Sequence, residues 1–263
     1  MFVYGAEPKM KDFINSVVDM YFKYLECKPL DCMIYTTYDL NQVRLNLAPK
    51  KLHQELLENP YPPNTTGAIL LPYSNGGRPA ILLQKSQFGQ DIRSIHELMY
   101  YLTYLLDSKW CYKVFNLDFN AYTEPTDTIC AWCDWHSELI AYSYEIKLAY
   151  NSGISLDQLL FRFQDEDSFI RQGLYSDLLA EKSIPRVFVS HIMSILGTYV
   201  ALNMVYPKQF NENTLPKALI NICGNKIKTL FTFLRSTTTN QELLPKITEF
   251  NSLVQSTLIY TYS

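Results

Sequence analysis

Apolar side chains recur at helical spacing from Lys9 to Glu26, where Phe13, Val17, Met20, Tyr21 and Tyr24 follow Pro8, a residue suited to a first helical turn. A second helix is expected after Pro49, through "KKLHQELLEN", and "NPYPPNTTG" then breaks all periodicity. From 67 to 85 the chain reads "GAILLPYSNGGRPAILLQK". Two short apolar runs flank Ser74-Asn75-Gly76-Gly77, and Asn-Gly is a strong hairpin signal because both turn positions favour positive φ. Pro72 and Pro79 would stand at strand ends or edges. Beyond Asp91, "IRSIHELMYYLTYLLDS" predicts a helix with Ile92, Ile95, Met99, Leu102 and Leu106 in one stripe. The stretch "CYKVFNLDF" suggests a further strand. A helix is then expected from about Asp134 to Tyr150, stopped by Asn151-Ser152-Gly153. Ile154 to Ser263 reads as four or five helices, broken at "EKSIPR", "YPKQFNENTLPK" and "RSTTTNQELLPK".

This order of elements predicts an α+β protein: an N-terminal helical segment at 1–60, a core of hairpin and two helices at 61–152, and a C-terminal helical domain at 153–263. A chain of 263 residues with 48% apolar and 19% charged positions can bury an ordinary core without disulfides or metal. Its net charge of −3 and lack of clustered Lys and Arg argue against direct nucleic-acid binding. "VFVSHIMSILGTYVALNMVYP", 187–207, holds no Asp, Glu, Lys or Arg and is long enough to span a bilayer. However, Ser190, Ser194, Gly197 and Ala201 form a stripe of small residues that suits close packing on a neighbouring helix, and His191 and Asn203 would be costly in lipid. A buried helix, and no membrane span, is the expectation. The opening "MFVYGAEPKMKDF" lacks a signal-peptide layout, so the six cysteines are expected reduced, in the cytoplasm.

The chemistry concentrates in "RSIHELMYYLTYLL". A zinc protease helix places two His four residues apart to share a metal, with a Glu after the first as general base. His96 and Glu97 fill the first two positions, but Tyr100 stands where the second His belongs, and a phenol with its pKa near 10 is a poor zinc ligand. Farther on, "CAWCDWH" sets Cys130, Cys133 and His136 at C-x2-C-x2-H spacing, a secondary candidate metal site that lacks a second C-x-x-C. Buried, idle thiols are the plainer reading of those cysteines.

A hairpin, a His-Glu helix and a later helix carrying Glu138-x-x-Ala141 form a recognisable sequence of parts. Residues 67 to 150 resemble the minigluzincins, compact zincins that include metallopeptidases of phages and mobile elements acting on repressors. The resemblance implies a zincin-like core in which His96 is the first metal ligand, Glu97 the base and Glu138 the third ligand. Tyr100 departs from the pattern and puts both metal binding and peptidase activity in doubt. His136 could substitute only if it precedes the helix proper, since residues two apart on a helix point about 200° apart.

Three readings follow. The leading one is a degenerate, catalytically impaired metallopeptidase scaffold that binds a protein or peptide partner and needs no cofactor. The second is an active zinc peptidase ligated by His96 and Glu138, with Tyr100 or His136 completing the shell. The third is a mainly helical interaction module unrelated to zincins.

Overall fold

The computed structural model describes residues 1–60, 67–71, 78–115, 127–154 and 185–259. The chain divides into two compact units, Met1–Thr123 and Glu124–Ser263. The expected boundaries at 60 and 152 do not coincide with this divide: segment 61–152 gives its strands and His-Glu helix to the first unit and its Glu138 helix to the second. The architecture is mixed α+β, mostly helical, with one small sheet.

In the first unit, strand β1 (Phe2–Tyr4) leads into helix α1 (Pro8–Tyr24) and then into β2 (Met33–Thr37). Helix α2 (Leu40–Leu47), a 3-10 turn and α3 (His53–Glu58) precede strands β3 (Ala68–Leu71) and β4 (Ala80–Gln84), and α4 (Ile92–Val114) follows. The sheet order is β1-β2-β4-β3. The first two pairings are parallel; β3 runs antiparallel to β4 with Ala68 opposite Leu83. The expected pairing of the two apolar runs is therefore observed, while its turn, Ser74 to Gly77, lies outside the described residues.

Two expectations are corrected here. The N-terminal segment is not purely helical, because β1 and β2 pair within it. Neither run announces itself locally: β1 has three residues, and β2 acquires its alternating burial only once β4 lies beside it. "CYKVFNLDF" does not open a strand either, since Cys111–Val114 continue α4 and the apolar stripe simply runs on; residues from 116 are outside the description.

Burial explains the layering. All five residues of β4 are buried, as a central strand requires. Ala80 and Leu82 face one side and pack with Leu40 of α2 and with Ile69 and Leu71 of β3. The buried face of α1 is Ile14, Val17, Val18, Tyr21 and Phe22, a helical stripe turned slightly from the expected one, so that Met20 is exposed. Helix α1 meets α4 through a buried hydroxyl pair: Tyr21 Oη lies 2.8 Å from Thr103 Oγ1. Thr103 itself donates to the Met99 carbonyl, so Tyr21 is the donor of that pair.

The described residues of the second unit form helices joined by turns, with no strand among them. Helix α5 (Asp127–Asn151) starts seven residues earlier than expected from Asp134. Then come α6 (Pro185–Val205), α7 (Lys217–Cys223), α8 (Lys226–Arg235), the single turn α9 (Asn240–Leu243) and α10 (Ile247–Val254). The α9 turn is set by a capping box: the Thr239 hydroxyl accepts from the Glu242 amide, and the Glu242 carboxylate accepts from the Thr239 amide. Helix α6 is long and apolar enough to cross a membrane, yet 72% of its most apolar window is buried inside the protein. The stripe of small residues has its expected use at Gly197. A Cβ there would stand 2.6 Å from the Trp135 carbonyl oxygen and 2.7 Å from Glu138 Cβ, so α6 and α5 approach closely only because the side chain is absent.

Candidate functional site

Helix α4 begins with Asp91 as N-cap, its carboxylate accepting from the Ser94 amide, while Ser94 Oγ accepts from the Gly89 amide. This cap sets the start of the helix and therefore the phase at which His96, Glu97 and Tyr100 emerge. All three are partly buried. The Glu97 carboxyl lies against Gly67, just before β3: a Cβ on Gly67 would fall 2.5 Å from Glu97 Oε1. One turn along α4, the Tyr101 hydroxyl donates to the Ala68 carbonyl at 2.7 Å. The His-Glu turn of α4 is thus fastened to the start of edge strand β3.

Burial pushes the Glu97 carboxyl above the ordinary glutamate value, with Asp91 adding to the effect; Arg93 and His96 work in the opposite direction. A carboxyl so raised has the character of a general base or acid. Tyr100 forms part of a phenol ladder, its ring edge-on to Tyr101 at 5.3 Å and tilted toward Tyr104 at 6.3 Å. Where a zincin needs an imidazole, this helix carries an aromatic ring packed among aromatic rings.

The remaining expected ligands belong to the second unit. Glu138 of α5 accepts a hydrogen bond from Thr198 Oγ1 at 3.2 Å, the neighbour of Gly197 on α6. His136 lies well inside α5, not before it, so the condition for its pointing with Glu138 is not met. Its ring stacks on Trp132 at 5.5 Å and on Trp135 at 5.9 Å. Cys130 and Cys133 are buried on the same continuous helix and are not in a disulfide. Cys130, Cys133 and His136 stand two steps of three residues apart along one helix, so His136 lies about 120° around the axis from Cys130, which does not let the three close on one tetrahedral ion. Among the described residues, no three His, Cys, Asp or Glu side chains group so as to hold a metal. In the first unit the donor set, one imidazole and one phenol beside a carboxyl, does not fit a zincin's metal.

Two features of this site escaped the sequence. Gly67 was visible only as the end of a loop, and Tyr101 only as one tyrosine among twenty. Neither residue carries a signal of its own, because each gains its role from β3 lying against α4. Comparison with family models, with curated proteins and with solved structures gave no match.

Proposed function

We propose that the first unit is a degenerate zincin-like scaffold that acts by binding a protein or peptide partner, of the phage or mobile-element kind, and not by hydrolysis. The observation that carries this reading is the ring of Tyr100, held in the ladder with Tyr101 and Tyr104 at the place of the second imidazole. Exchange of a first ligand for a phenol costs more than loss of a supporting group, which by itself lowers metal affinity about 10–100-fold. A binding role is supported by β3, an edge strand among the described residues: the Tyr101 hydroxyl takes the outward carbonyl of Ala68, and the backbone groups of Leu70 face away from β4. Such an edge accepts an extended chain by strand addition.

Elemental analysis of the protein purified without chelator tests the reading, with His96→Ala as control. No stoichiometric metal is expected in either protein. Zinc present at one equivalent and lost in His96→Ala would overturn the proposal. A second reading, that of peptidase chemistry with Glu97 as the base, is favoured by the raised Glu97 carboxyl held against Gly67. Peptide hydrolysis abolished by Glu97→Gln would establish it.

A further inference from the structure

We draw no further inference here: the strongest candidate, the outer edge of β3 where the Tyr101 hydroxyl caps the Ala68 carbonyl beside the outward backbone groups of Leu70, belongs to the site already described, and nothing in the structure shows what pairs with it.

Discussion

Glu97 holds its proton more tightly in the folded chain than a solvated glutamate does, because its carboxyl is buried between α4 and Gly67. By linkage, a group whose folded pKa is raised contributes stability that is fully present below its unfolded value of about 4.3 and is lost as pH rises through the folded value. Above that window the ionised carboxylate is held at a cost. Glu97→Gln retains size and polarity but has no charge to desolvate. Its melting temperature should therefore exceed that of the wild type at pH 7 to 8, with the difference narrowing as pH falls through the folded Glu97 value toward about 4. Thermal melts across that range decide the point. Two profiles running parallel from pH 4 to 8 would mean that Glu97 is not held in its neutral-favouring environment.

At the level of elements, the contact between α5 and α6 depends on one missing side chain. Gly197→Ala would drive a methyl into the Trp135 carbonyl and the Glu138 Cβ, neither of which can swing aside. The helices must separate, and overpacking of this kind costs about 1–3 kcal/mol. Gly67→Ala offers the contrast, since its new methyl meets the end of the flexible Glu97 side chain. It should change stability by less than about 0.5 kcal/mol while displacing the carboxyl. Urea unfolding of the two variants measures the difference, and equal costs would show that the α5–α6 contact can relax.

The same elements show what was legible in the sequence. The stripe Ser190, Ser194, Gly197 and Ala201 announced a close helix neighbour because small residues at helical spacing have few other physical uses. The runs at 68–71 and 80–84 were legible as paired strands, since Asn-Gly between apolar runs implies a reversal. Strands β1 and β2 were not, because β1 pairs with β2 across a helix, β2 pairs with β4 far along the chain, and three to five residues carry little periodicity. Nor did helical spacing show that His136 would turn onto Trp132 and Trp135, a choice set by the start of α5 at Asp127. His96, Glu97 and Tyr100 could be found from spacing alone. Their surroundings could not, because Gly67 and Ala68 reach them from a different element.

Over the whole molecule, the six cysteines, none of them in a disulfide, form a built-in record of folding. Cys27 is exposed just beyond α1, and burial of part of its thiol raises its pKa, so its alkylation should quicken with pH and reach its full rate only above the range of an ordinary thiol. The other five are buried; burial pushes Cys32 up to about 12. Native protein should therefore react rapidly at one thiol, Cys27. The buried five divide between the units, with Cys32 and Cys111 in Met1–Thr123 and Cys130, Cys133 and Cys223 in Glu124–Ser263. Each unit is large enough to own a core, and units of that size commonly unfold as separate cooperative bodies. Pulsed alkylation along a urea gradient, read by mass spectrometry, should release the thiols in two groups, the pair from one unit and the trio from the other, at different midpoints. Release of all five at a single midpoint would show that the two units share one cooperative transition.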